Sequence, residues 1–355
     1  MSRWGYFFKR LLLSIPVLFL VMTFIFVMLR MGPIDPVSAI LGPNRQPGAA
    51  EALRRQMGLN DPLWRQYIDF IASFLTGDLG QSEVIRQGQE VTEIIAQSGP
   101  PTLWLGFWAI LLPIFIGIPL GLYAGLNPNT KGDYTASISA ILWQAMPNFW
   151  LSIMLIFALR QTHNGGGPFG FDWYTLGPDI SSVAGTPDLD FYSTGWTEIL
   201  GVIPSPLTID WGAFAAEVKF ILPAAIVLGS ASMAVETRIG RTAVLENINS
   251  NYVETARAKG LTERVIIWKH VFRNALIPLV PVIMNEAYIL IGGSVIIEYI
   301  FNINGLGSIF FDAMTEGDLN LAGGLLFFYT VIIIGMNVLQ DLLYTIIDPR
   351  VGYEQ

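Results

Sequence analysis

The residues best suited to chemistry form a polar island late in the chain, Asn251-Tyr-Val-Glu-Thr-Ala-Arg-Ala-Lys-Gly260, and long apolar runs flank it. Its types suit partner docking better than catalysis: a small-residue basic helix, a glycine stop and then a second amphipathic stretch ending at Pro278. The spacing predicts a helix from Asn247 to Lys259, with Gly260 as a C-cap that tolerates positive φ. Ala256 and Ala258 are small enough to let a partner approach the backbone. Thr262 is placed to N-cap a second helix with Glu263 in its first turn. Val265, Trp268, Phe272 and Leu276 recur at helical spacing and predict its apolar face. By pattern alone the segment reads either as a docking surface or as a plain hairpin joining two spans.

A second candidate is Glu286 beside Asn285, inside an apolar run. A carboxylate at mid-membrane costs about 2.5–3.5 kcal/mol on insertion scales, so it is expected to face a bundle interior or water. It reads as a pathway group for a cationic end of a substrate, or as a buried hydrogen bond between helices.

Familiar catalytic and cofactor patterns are missing from the sequence. There is no G-x-x-x-x-G-K-[ST] phosphate loop, no G-x-G-x-x-G, no H-E-x-x-H and no G-x-S-x-G. No cysteine is present, and the two histidines, His163 and His270, are far apart. No catalytic set, metal site or resident cofactor is therefore expected. The few basic residues concentrate on one loop, which argues against a nucleic-acid partner.

These residues need elements to hold them. Of 355 residues, 52% are hydrophobic and only 14% charged, against about 25% charged in soluble domains. Mean hydropathy is +0.51. Most of the chain must lie in lipid, in an all-α polytopic fold. Six transmembrane helices are expected, at Leu11–Arg30, Thr102–Leu126, Ser137–Leu159, Phe220–Arg238, Ile277–Ile300 and Gly323–Ile347. Gly117, Gly121 and Gly125 have the small-xxx-small spacing of close helix packing.

Arg3, Lys9 and Arg10 precede the first span, and Arg238, Arg241, Arg257, Lys259, Arg264, Lys269 and Arg273 crowd the loop before the fifth. The positive-inside rule puts that loop and both termini in the cytoplasm. The basic, apolar start resembles a signal peptide, but its run is too long and no small-x-small site follows, so it reads as an uncleaved span. Two large extracytoplasmic loops follow. Residues 32–101 contain helix-like pieces, Ala49–Gln56 and Pro62–Leu75, and read as an ordered cap. The loop 161–218 is rich in Gly, Pro, Asp and aromatics. The division expected is 1–101, first helix plus cap, and 102–355, core transmembrane domain with the extracytoplasmic loop 161–218 and the cytoplasmic loop 239–276. The net charge of −8 fits either ordinary solvated loops or a high-salt habitat.

Glu254-Thr-Ala256, Gly260 and the helix after them resemble the "EAA" coupling loop of permease subunits of binding-protein-dependent ABC importers. Ala256-Arg-Ala-Lys-Gly-Leu261 and Arg273-Asn-Ala-Leu-Ile-Pro278 resemble the dipeptide/oligopeptide permease group, of the DppB/OppB kind. Further words match in order: Lys9-Arg-Leu-Leu-Leu13, Asp35-Pro-Val37, Gly58-Leu59, Pro62-Leu-Trp64, Gln66-Tyr67, Gly77-Asp-Leu-Gly80, Glu298, Phe301, Gly305-Leu-Gly307, Asp341-Leu-Leu-Tyr344 and Asp348-Pro-Arg350. Thr255 departs from the motif's alanine, Ile34 replaces a glycine, Asn304 replaces a proline, and the loop around 161–210 is longer than the group's usual connection.

The resemblance implies a type I ABC importer permease fold in the plasma membrane. Its partners would be a second permease subunit, two ATPase subunits carrying ATP and Mg, and an extracytoplasmic solute-binding protein. Tyr252, Glu254, Thr255, Ala256, Arg257, Ala258, Lys259, Gly260 and Leu261 would form the ATPase-coupling loop, with Asn285 and Glu286 on the substrate pathway. The cargo implied is di- or oligopeptide, with an oligosaccharide or a metal complex as the alternative. A self-sufficient channel or ion-coupled carrier lacks the internal repeat expected of it, and a membrane enzyme lacks a clustered catalytic set.

Overall fold

A computed structural model describes residues 3–31, 36–41, 48–163, 172–174, 176–177, 192–193, 208–283 and 295–347. These residues are helical apart from turns, one two-residue antiparallel pair, Tyr192–Ser193 against Thr208–Ile209, and a single antiparallel bridge between Gln81 and Glu90. The chain forms two compact units, Met1–Gly99 with Leu306–Gln355, and Pro100–Gly305.

In the first unit the helix Arg3–Met31 packs along the helix Leu319–Ile347. Gly323 lets them close: a Cβ there would sit 3.0 Å from Leu29 Cδ1. The expected cap pieces form helices Ala49–Gln56 and Leu63–Thr76. Met22, Phe74, Val91, Ile94, Leu306 and Leu321 share one core. Asp318 is fully buried here. Its Oδ2 accepts from Ser82 Oγ at 2.5 Å, Val84 N at 3.1 Å and Ile85 N at 3.2 Å, and its Oδ1 accepts from Leu321 N at 3.2 Å. One carboxylate thus caps the last helix and fastens a loop some 230 residues earlier.

The second unit is built on the 38-residue helix Trp211–Ile248, N-capped by Asp210 Oδ1 accepting from Gly212 N and Ala213 N. The helix Val91–Leu112 continues through a π turn, Pro113–Gly117, into Ile118–Leu126. A π turn accommodates a mid-helix proline that has no N–H to give. Gly117, Gly121 and Gly125 all face Trp211–Ile248, as their spacing predicts. A Cβ on them would lie 2.9 Å from Met233 O, 2.5 Å from Thr237 O and 2.6 Å from Val244 Cβ. Thr237 Oγ1 donates to Gly117 O at 3.1 Å across this seam.

Five described helices are long and apolar enough to cross a membrane: Leu11–Met31, Val91–Leu126, Trp211–Ile248, Glu263–Ile283 and Leu319–Gln340. Two helix pairs that pass the test jointly raise the number to seven if each counts as one span. The span expected at Ser137–Leu159 is one of them: helices Lys131–Ala145 and Asn148–Thr162 meet at 98°. Met146 takes an extended conformation, φ −87° and ψ 122°, as steric crowding by Pro147 demands. The span expected at Ile277–Ile300 is described only in part, because 284–294 lie outside the described residues.

Candidate functional site

The polar island forms a short helix, Asn251–Ala258, preceded by Ser250 at the N-cap position. It starts four residues later than the sequence suggested, since Trp211–Ile248 runs on through Asn247 before the chain turns at Asn249 and Ser250. Asn247 Nδ2 donates to Ala243 O at 2.8 Å and its Oδ1 meets Tyr252 Oη at 2.6 Å, so that side chain joins the two helices.

The C-terminal stop is a Schellman motif. Leu261 N donates to Ala256 O at 3.2 Å and Gly260 N to Arg257 O at 2.9 Å. Gly260 has φ +75°, a left-handed conformation that costs other L residues about 1–2 kcal/mol. Thr262 takes the N-cap position with extended backbone, but its side chain makes no cap hydrogen bond. Arg257 Nε donates to Glu263 Oε1 at 2.8 Å and ties the two helices across the glycine corner. The hydrogen bond to the Glu263 carboxylate, and its charge, raise the Arg257 pKa further. The pair is exposed, so it sets geometry more than stability.

Beyond the corner, Glu263–Val265 leads into a π turn, Ile266–Val271, then Phe272–Ala275 and a 3₁₀ turn, Ile277–Leu279. After this 3₁₀ turn the chain is α-helical again to Ile283. The π turn inserts a residue and rotates the helix face, so the apolar face differs from the predicted one. Ile266, Val271, Ala275 and Leu279 are buried, whereas Val265 is 39% and Trp268 is 63% exposed.

Two faces result. Underneath, Val253, Ala256, Ile266, Val271 and Ala275 enter one core with Ile118, Leu122, Ala243 and Val244. Burying each large side chain contributes about 1.5–3 kcal/mol, so the segment is anchored as part of the second unit. The Ala256 side chain, 6% exposed, packs inward against this core. On the outer face Glu254, Thr255, Arg257, Ala258, Lys259 and Gly260 are exposed, alongside the apolar Tyr252, Leu261, Val265 and Trp268. Trp268 and Phe272 rings lie 5.2 Å apart at 42°. Charged and large apolar groups on a stiff, well-anchored surface suit a protein partner.

Asn285 and Glu286 lie outside the described residues. Burial was not foreseen for other acids. Glu236 and Glu298 are fully buried. Glu298 Oε1 accepts from Thr102 Oγ1 at 3.2 Å, and its backbone carbonyl accepts from Ile303 N at 2.9 Å. A Cβ at Gly305 would collide with both the Glu298 carboxylate and Thr102 Oγ1. Asp133, 1% exposed, receives a bidentate pair from Arg241, with Nη2 2.8 Å from Oδ2. The signal available in the sequence was an acid beside apolar residues, as at Val295-Ile-Ile-Glu298.

Apolar helices of membrane length, with a firmly seated segment that exposes charged and apolar groups, are the features of a polytopic membrane protein. The family model described as "Binding-protein-dependent transport system inner membrane component" matches residues 117–353. The model for the N-terminal part of such components matches 3–104. The oligopeptide transport system permease protein AppB of Bacillus subtilis is 32% identical over 349 residues, covering 98% of this chain and 99% of the relative. The dipeptide transport system permease protein DppB of Escherichia coli K12 is 33% identical over 351 residues, 98% of each. The glutathione transport system permease protein GsiC of Escherichia coli O6:H1 is 30% identical over 350 residues, 99% of each. The chain belongs to the family of inner-membrane components of binding-protein-dependent transport systems.

Proposed function

We propose that the chain is a permease subunit of an ATP-driven importer of di- or oligopeptides. It would form the translocation pathway with a second permease subunit and take solute from an extracytoplasmic binding protein. Two cytoplasmic ATPases, which hold ATP and Mg, would drive it. The peptide assignment rests on the names of relatives that align over the whole chain. An oligosaccharide or a metal complex stays the second reading of the same architecture, and the named cargo of the glutathione relative is itself a small peptide. We read the core as six transmembrane helices of the type I permease fold, with both termini cytoplasmic. The divisions are 1–101 and 102–355, with coupling loop 239–276 and outer loop 161–218. Asn285 and Glu286 are proposed to line the pathway.

The carrying observation is the two-faced segment Asn251–Ala275. Its underside sits in the core of the second unit, and its outer face offers Glu254, Lys259, Leu261 and Trp268. A surface fixed this way moves with the helices it is packed on. Closure of two ATPases would then be passed to the spans instead of being absorbed by a soft loop. In proteoliposomes holding the whole transporter, Glu254→Arg and Gly260→Val should cut solute uptake at least about tenfold, a loss of about 1.4 kcal/mol of coupling. Uptake at the wild-type rate in both variants would refute the assignment.

A further inference from the structure

The helix Leu63–Thr76 of the first unit touches two apolar helices of membrane length, and the transport reading gives it no task. Its inner face is fixed by contacts. Tyr67 Oη and Thr23 Oγ1 share a hydrogen bond of 2.7 Å. The Phe26 ring lies 5.2 Å from that of Tyr67 and 5.6 Å from that of Phe70. Further along, the Phe74 ring meets Phe327 edge-on at 4.9 Å. Thr23 stands eight residues before the end of Leu11–Met31, and Phe327 eight residues after the start of Leu319–Gln340. At 1.5 Å per residue, both anchors lie about 12 Å inside the ends of these spans. The two ends are level, because Gly323 packs against Leu29 and Ile25. Tyr67 and Phe74 are seven residues apart, about 10 Å along a helix axis, which matches the spacing of about 8–10 Å between packed helices. Leu63–Thr76 therefore runs across the pair, near the plane of a bilayer. Its rings reach down to the anchors, so its axis is shallower than they are, at the depth of about 5–10 Å that interfacial helices take.

The rest of the helix surface divides into two flanks. Trp64, Ile68 and Leu75 are 66%, 56% and 56% exposed, and at about 100° per residue they share one stripe. Arg65, Asp69 and Thr76 are exposed on another stripe, about 100° away. Gln66, Phe70 and Phe74 take the remaining side, against the core. The apolar flank also continues a lipid-facing surface. Val27, one turn beyond Thr23, is exposed, as are Leu20, Phe24 and Met28 on the same span. Lipid that covers that side of the span reaches the stripe at the same depth. One apolar flank, one charged flank and a tryptophan at the boundary are the pattern of a helix lying in the membrane interface.

We infer that Leu63–Thr76 is an interfacial helix, and that Trp64, Ile68 and Leu75 insert among the acyl chains of the surrounding phospholipid. Arg65 and Asp69 stay at the headgroup level. In the topology proposed above this is the extracytoplasmic leaflet; the choice of leaflet rests on that reading, and the lipid contact does not.

The chain has no cysteine, so the test uses the single variants Ile68→Cys, Leu75→Cys and Asp69→Cys. Each is labelled with bimane in the assembled transporter, in phosphatidylcholine vesicles. Quenching by a lipid spin-labelled high on its acyl chain is compared with quenching by aqueous iodide. The spin-labelled lipid should quench positions 68 and 75 at least about threefold more than position 69, and iodide should show the reverse order. Equal iodide quenching at all three positions would put the stripe in water. Protection of 68 and 75 from both quenchers would mean that a protein covers it. Either result overturns the inference, and the two apolar positions report independently if one variant fails to assemble. The leaflet is read separately: a membrane-impermeant maleimide should label Asp69→Cys in intact spheroplasts. Labelling only after lysis would overturn the leaflet and the proposed topology together, while the quenching still decides the lipid contact.

Discussion

Replacing Gly121 by alanine adds one methyl group at the tightest part of a helix seam. Its Cβ would stand 2.5 Å from Thr237 O, 3.0 Å from Thr237 Cα and 3.1 Å from Thr237 C. Ordinary carbon contacts lie at about 3.5–4.0 Å, so about 1 Å of separation is needed. The obstructing atoms are backbone, so no rotamer change can provide it. Ile118–Leu126 and Trp211–Ile248 would have to part, and the Thr237 Oγ1 to Gly117 O hydrogen bond across the seam would stretch. Overpacking of this kind costs about 1–3 kcal/mol, offset in part by the better helix propensity of alanine, about 1 kcal/mol. A net loss of about 1–2 kcal/mol is expected, read as a lower unfolding temperature of the detergent-purified chain. Gly335→Ala is the control: nothing lies within 4 Å of its Cβ position, so stability should hold or rise. If Gly121→Ala melts at or above the wild-type temperature, the packing argument fails.

Asp318→Ala should destabilise the first unit by about 2–4 kcal/mol, because it strands the Val84, Ile85 and Leu321 N–H groups; faster limited proteolysis near Ser82 would register it. Asp133→Asn should cost about 1–3 kcal/mol, below a fully buried pair because Arg241 is 30% exposed. Thermal unfolding measures this, and an unchanged midpoint would refute the role of the pair. Gly260→Asn should retain more transport than Gly260→Val, since asparagine tolerates left-handed backbone and no atom lies within 4 Å of the site.

Features governed by local rules were readable from the sequence. Gly117, Gly121 and Gly125 announced a close helix seam, and Gly260 announced a left-handed stop. Both cap helices followed from short periodic pieces. Features set by distant contacts were hidden. Asp318 looks like any loop acid until Ser82 and the Val84 and Ile85 amides are brought to it. The bend at Met146 was signalled by Pro147, but the apolar composition around it hid the signal. The π turn at Ile266–Val271 shifted the buried face, because a one-residue insertion breaks the 3.6 period on which the prediction rested: Val265 and Trp268 fall outside it, while Phe272 and Leu276 still pack against the core. It also placed Trp268 where a partner can reach it. The segment Asn251–Ala275 was legible as a polar island between apolar runs, but the inward packing of Ala256 was not.

The central claim is that the outer face of Asn251–Trp268 docks on an ATPase. The chain has no cysteine, so single cysteines at Ala258, Leu261 or Trp268 can be probed with a short bifunctional cross-linker in the assembled transporter. Buried Val253 serves as the control position. The account predicts cross-links to the ATPase subunit from the three exposed positions and none from Val253. Cross-links confined to the second permease, or absent at all three in a complex that still contains its ATPases, would contradict it.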